Sequence, residues 1–162
     1  MSLEQVHAVA APTTLPIAFS LLHQLLIEDL SRALCGGSGP LCEPAALAAL
    51  RLGVHDRGKE RPVEGMMAQR FGDYGAFCAL QERVFDATEA YVGGVTPASF
   101  DEVLVAAPYP ERLAHTFSAL VGAERGITRS DALECWVYQH ALRHLGGIEH
   151  RRSLGGLGGM TS

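Results

Sequence analysis

The sequence predicts an all-α fold, a four-helix bundle with one long crossover loop. Three observations carry that expectation. Strand signals are weak, with no run of alternating β-branched residues bounded by hairpin dipeptides. Apolar residues recur at i+3 and i+4 steps in three long segments. Glycine- and proline-rich stretches at Gly36–Pro40, Gly53–Gly65, Gly93–Pro97 and Ala106–Pro110 separate those segments.

The first segment runs from about Thr13 to Leu34. Thr13 or Thr14 can cap it, Pro16 is tolerated in its first turn, and Gly36-Gly37 stops it. Phe19, Leu22, Leu26 and Leu30 make one apolar stripe, and Leu21, Leu25 and Ile27 widen it, so the helix reads as largely buried. The second segment runs from about Tyr74 to Val92. Asp73 is its N-cap and Gly93-Gly94 its stop, with Phe77, Leu80, Val84 and Tyr91 at helical spacing. Shorter helices are expected over Pro44–Leu52 and over Glu111–Val121, the latter with Leu113, Phe117, Leu120 and Val121 inward. The last segment, about Ser130 to Leu154, sets Leu133, Val137, Ala141, Leu145 and Ile148 in a seam toward the core.

At 162 residues the chain reads as one domain, with residues 155–162 a flexible tail. A domain of this size buries roughly 70% of its unfolded surface, enough for a core without disulfides. Cys35, Cys42, Cys78 and Cys135 are scattered with no C-x-x-C pair and read as small hydrophobes in a reducing compartment. The net charge of −5 shows no blocks, which argues against nucleic-acid or membrane-surface partners. Leu15–Leu26 is broken by Ser20, His23 and Gln24 and is too short to span a bilayer. No signal-peptide pattern is present, so the expected location is cytoplasmic.

Chemistry concentrates in the last helix. His140 and His144 stand at i and i+4, which stacks both imidazoles on one face where two nitrogens can meet one metal ion. Trp136 lies one turn before them as an apolar pocket wall, and Gly147 one turn after leaves room for a ligand. A catalytic metal needs a third protein ligand and an open position. His23, among Phe19, Leu22, Leu26 and Ile27, is the candidate, because a histidine on a buried helix must find a partner. A shared metal, a backbone carbonyl or a carboxylate would each serve. The other histidines read as solvated: His7 in a frayed N-terminus, His55 in a charged loop with Asp56, Arg57, Lys59, Glu60 and Arg61, His115 off its helix's apolar stripe, and His150 near a helix end. Arg143 points away from the histidine face and reads as surface or as a rim cation.

The stretch Tyr138-Gln139-His140-Ala141-Leu142-Arg143-His144-Leu145-Gly146-Gly147-Ile148, running into Arg151-Arg152-Ser153-Leu154-Gly155-Gly156, resembles the last helix of the DinB-like superfamily. Pro16–His23, followed by Glu28-Asp29-Leu30 and Gly36-Gly37, resembles its second helix, which carries the third metal histidine. Arg51-Leu52-Gly53-Val54 and the helix ending at Tyr91 are similar to one branch of it. The resemblance implies a four-helix bundle holding nickel or zinc between His23, His140 and His144. It further implies relatives such as mycothiol-dependent maleylpyruvate isomerase and bacillithiol S-transferases, in which the metal activates a low-molecular-weight thiol. Phe19 and Trp136 would then line the pocket of a small-molecule electrophile. Family members begin with a long helix, whereas about twelve residues precede Thr13 here, so the first helix reads as short or missing. The exposed core this would leave predicts a homodimer. The leading expectation is a metal-dependent thiol transferase or isomerase. Its rivals are a non-catalytic metal-binding or stress-response protein, a metal-dependent hydrolase, and a structural bundle whose histidines are satisfied core groups.

Overall fold

The computed structural model describes residues 1–9, 11, 12, 14–54 and 61–157. The expected cap Thr13, the loop histidine His55 with its charged neighbours through Glu60, and the tail from Gly158 lie outside the described residues. The chain is mostly helical. Its helices are α1 (Leu3–His7), α2 (Ile17–Leu34), α3 (Pro44–Ala49), α4 (Val63–Met67), α5 (Tyr74–Gly94), α6 (Glu111–Ala114), α7 (Phe117–Gly122), α8 (Arg129–Ala132) and α9 (Gln139–Leu154). A π-helical segment, Leu133–Tyr138, joins α8 to α9. Among the described residues no helix is long and apolar enough to cross a membrane.

Helix α2 is the central element and packs against α1, α5, the π-helical segment and α9. Its apolar residues run around the whole cylinder, which is stable only when neighbours cover every side. Ile17, Ala18, Leu21, Leu22 and Leu25 meet Phe77, Leu80 and Val84 of α5, Ile148 of α9 and Val6 of α1 in the main core. The expected N-cap moves: Pro16 itself is the N-cap, and its fixed φ of −62° leads the chain straight into Ile17. Thr14 instead closes a local turn through Ala11. At the other end Gly36 has a φ of +97° and the Gly37 N–H donates to the Arg32 carbonyl, so the glycine pair ends the helix as the sequence predicts. The apolar stripe fades earlier than expected, because Leu30 is exposed.

The C-terminal end of α2 is tied down by polar contacts. Asp29 and Arg32 are both buried and form a salt bridge of 2.6 Å. Asp29 also accepts the backbone N–H groups of Leu41 and Cys42, while Arg32 donates to the Ser38 carbonyl and hydroxyl. The loop after α2 is thereby folded back on the helix. Burial, the largest influence on the Asp29 carboxyl, pushes its pKa up, but the Leu41 and Cys42 N–H groups and Arg32 together outweigh it and hold it below the usual range.

Four expectations are corrected. His7 is not frayed: α1 carries a Ser2/Gln5 capping box, Val6 is fully buried, and His7 Nε2 accepts the Phe71 N–H at 2.9 Å. The Glu111–Val121 helix is two short helices, because the Thr116 hydroxyl donates to the Leu113 carbonyl and caps a new start by accepting from Ala119 N–H. The new start turns Ser118, Ala119 and Gly122 inward and leaves Phe117, Leu120 and Val121 exposed, Leu120 at 76%. Close packing demands that arrangement, since a Cβ on Gly122 would lie 2.5 Å from the Tyr109 hydroxyl. Pro44–Leu52 ends at Ala49, followed by Arg51 at a φ of 49°. A two-stranded antiparallel sheet, β1 (Val103–Val105) with β2 (Ile127–Thr128), went unpredicted; Val103 pairs with Thr128 and Val105 with Ile127. Gly126 permits it, at a φ of +93° where a Cβ would meet Val103 at 2.7 Å.

A second, smaller cluster of Cys35, Ile127 and Ala132 lies beside this sheet. Arg129 binds it to the rest of the chain, donating to the Cys35 carbonyl, the Tyr91 hydroxyl and Glu102.

Candidate metal centre

Two helices build the histidine cluster. On α9 the i, i+4 spacing stacks His140 and His144 with ring centroids 4.6 Å apart. From α2, His23 points between them, its ring centroid 5.3 Å from His140 and 5.0 Å from His144. One ligand atom from each ring can be chosen such that all three lie within 4.8 Å of one another. The sequence-predicted set is therefore brought together in space, from residues more than a hundred positions apart. His23 is buried, and His140 and His144 are half-buried.

Local packing fixes the rings. Phe19, one turn before His23, stacks on its imidazole with centroids 5.8 Å apart and planes 6° from parallel. The π-helical segment lies directly before His140, and wide turns of this kind recur at functional sites. Trp136 sits in that segment and packs against the second cluster with Cys35, Ile127 and Ala132. Gly147 is open on its outer side: a Cβ there would come no closer than 3.8 Å to the nearest group, the Arg151 guanidinium.

The electrostatics favour the metal-binding protonation state. The His144 pKa is lowered from 6.5 to about 3, first by burial, then by His140, His23, Arg151 and Arg143. A neutral imidazole is the form that ligates. Three imidazole nitrogens from two helices, with no carboxylate or thiol in the group among the described residues, form a donor set suited to zinc, nickel, copper or iron and poorly suited to magnesium or calcium.

Other sequence candidates fall elsewhere. His115 and His150 are exposed, as expected, and Arg143 is also exposed, although its charge still reaches His144. Three of the thiols are held protonated: burial pushes Cys35 up to about 11 and Cys42 up to about 12, and burial with the Asp131 and Glu134 carboxylates raises Cys135. Two surface clefts lie away from the histidines. The larger is lined by Tyr109, His115, Phe117 and Leu120 among others, the smaller by Tyr91, Thr96, Ser99 and Arg129 among others.

Two residues beside the cluster were missed. Arg151 lies seven residues beyond His144, hence on the same face of α9, and its Nη1 donates to the Ser20 hydroxyl of α2 at 2.5 Å. Ser20 in turn stands three residues before His23 and is buried. The i+7 spacing was the available signal.

No family model matches the chain, and no curated protein matches it. A solved structure does. The crystal structure of a conserved protein of Enterococcus faecalis is similar with a TM-score of 0.71 and 16% identity, covering 95% of this chain and 83% of that chain. The likeness is one of fold, and it extends over nearly the whole chain.

Proposed function

We propose that this chain is a DinB-like helical bundle protein that holds one divalent transition metal, nickel or zinc, between His23, His140 and His144. We propose further that it uses the site as a thiol S-transferase or isomerase with a low-molecular-weight thiol, such as mycothiol or bacillithiol, and a small-molecule electrophile. The observation that carries the reading is the convergence of three imidazoles from two helices within 4.8 Å. Such a convergence is costly for core histidines alone, because burial and mutual repulsion oppose protonation and each ring still needs polar partners.

A divalent ion in such a site acts as a Lewis acid and favours the deprotonated form of a thiol. The protein's own residues hold and shape. His140 and His144 supply nitrogen donors pre-set by helical spacing, and the buried His23 closes the set from α2. Phe19 fixes the His23 ring and keeps that side dry. Gly147 keeps the approach along α9 open. The raised thiols of Cys35, Cys42 and Cys135 are poor nucleophiles, Cys78 is exposed on α5, and among the described residues no cysteine belongs to the histidine group, so this reading places the reacting sulfur on the small molecule. A hydrolase reading is weaker, because the ligand group among the described residues consists of three histidines with no carboxylate in it.

The test is a panel of thiols and electrophiles offered to metal-loaded protein. Turnover that requires both thiol and metal supports the reading. Stoichiometric metal without turnover on any pair favours a non-catalytic metal-binding role.

A further inference from the structure

The half-buried guanidinium of Arg151 extends the histidine face of α9. Residues 140, 144, 147 and 151 follow one another at helical steps, so Gly147 is the gap between His144 and Arg151. The guanidinium nitrogens border that gap, 3.8 Å from where a Gly147 Cβ would stand. Among the described residues the one hydrogen bond of Arg151 goes to Ser20, and no carboxylate pairs with it. A guanidinium carries five N–H donors in a planar fork matched to a carboxylate, so most of this group's capacity is unspent. Burial lowers its pKa with no acidic neighbour to offset the effect.

Charge balance gives the same answer independently. Among the described residues the group that can hold an ion is three imidazoles with no carboxylate or thiolate in it, and imidazoles do not offset the charge of a divalent ion. Arg151 adds another positive charge nearby, and a half-buried excess of this kind is relieved by an anionic ligand. We infer that Arg151 is a specificity residue that receives a carboxylate of the small molecule occupying the histidine site, with Ser20 holding the guanidinium in place and Gly147 leaving the passage between them. The inference rests on the metal-site reading above and names the substrate class: a ligand carrying a carboxylate as well as the group that meets the metal.

Calorimetric titration of nickel-loaded protein tests it with three probes: 3-mercaptopropionate, the neutral and size-matched 3-mercapto-1-propanol, and maleate. Wild type is expected to bind at least one carboxylate-bearing probe about tenfold or more tightly than the neutral thiol, the scale of a hydrogen bond to a charged group. Arg151→Gln should lose that preference while keeping its nickel and its affinity for the neutral thiol. Arg151→Lys, which retains charge without the fork, should keep part of the preference and stands in if the glutamine variant fails to fold. A preference for mercaptopropionate places the carboxylate on the thiol, and a preference for maleate places it on the other reactant. No preference in wild type, or an equal preference in Arg151→Gln and wild type, overturns the role of Arg151 while nickel and neutral-thiol binding leave the metal site standing. Wild type that holds no nickel overturns both.

Discussion

Asp29→Asn isolates the polar clamp that fixes the end of α2, the helix that carries His23. The Asp29 carboxylate is 1% exposed and accepts three hydrogen bonds: from Arg32 Nη2 at 2.6 Å, from Leu41 N–H at 3.0 Å and from Cys42 N–H at 2.8 Å. An amide keeps the shape but turns one acceptor into a donor, so it faces an N–H and leaves the buried Arg32 without its counter-charge. Breaking one side of a buried ion pair costs about 3–5 kcal/mol. About 3 kcal/mol is expected here, because an amide oxygen in the Oδ1 position still accepts from Arg32 and Leu41 while the NH2 group faces the Cys42 N–H. At about 2–4 °C per kcal/mol for a chain of this size, the melting temperature should fall by about 6–12 °C. Urea unfolding followed by circular dichroism, with an unchanged m-value, measures it. Adding Arg32→Met should recover about 1–2 kcal/mol, since the stranded charge is removed. A loss below about 0.5 kcal/mol in the single variant would refute the reasoning, and an additive double variant would refute the pairing.

The pH dependence of stability should show His7. Its pKa is lowered from 6.5 by burial first and Arg70 second, and only the neutral ring accepts the Phe71 N–H. The unfolded chain therefore takes up a proton that the folded chain resists, so this contribution is complete above about pH 6.5 and is lost as pH falls below it. His7→Gln should flatten the slope of the urea midpoint between pH 7 and 5; an unchanged slope would exclude His7 as its source. A homodimer is expected in solution, with Phe117, Leu120 and Val121 at its interface, because these large apolar groups are exposed side by side on α7. Light scattering at micromolar concentration checks it, with Leu120→Glu expected to weaken the dimer; a monomeric wild type would contradict the expectation.

The long helices were legible because each satisfies several local rules together. Phe77, Leu80 and Val84 repeat at helical steps behind an Asp73 cap that accepts the Ala76 N–H. His140 and His144 were legible for the same reason, and His23 stood out as a polar group on an apolar helix. What escaped depends on distant partners. Five strand residues are too few for an alternation to register, and their pairing relies on Gly126 meeting β1 across the chain. The Thr116 break competes with a helical pattern that its neighbours keep intact, so periodicity alone carried the helix through it. The π-helical register at Leu133–Tyr138 is a matter of hydrogen-bond phase with no residue signature. His7 looked terminal until Phe71 supplied its partner, and Arg151 carried no role in the sequence until Ser20 held it beside the cluster.

The central claim is that His23, His140 and His144 bind one metal together, and metal content measures it most directly. Protein prepared without a histidine tag, loaded with nickel or zinc and desalted, should retain about one ion per chain. His23→Ala should retain almost none while its fold persists by circular dichroism. A wild type that keeps no ion, or a His23→Ala variant that keeps its full share, would contradict the account.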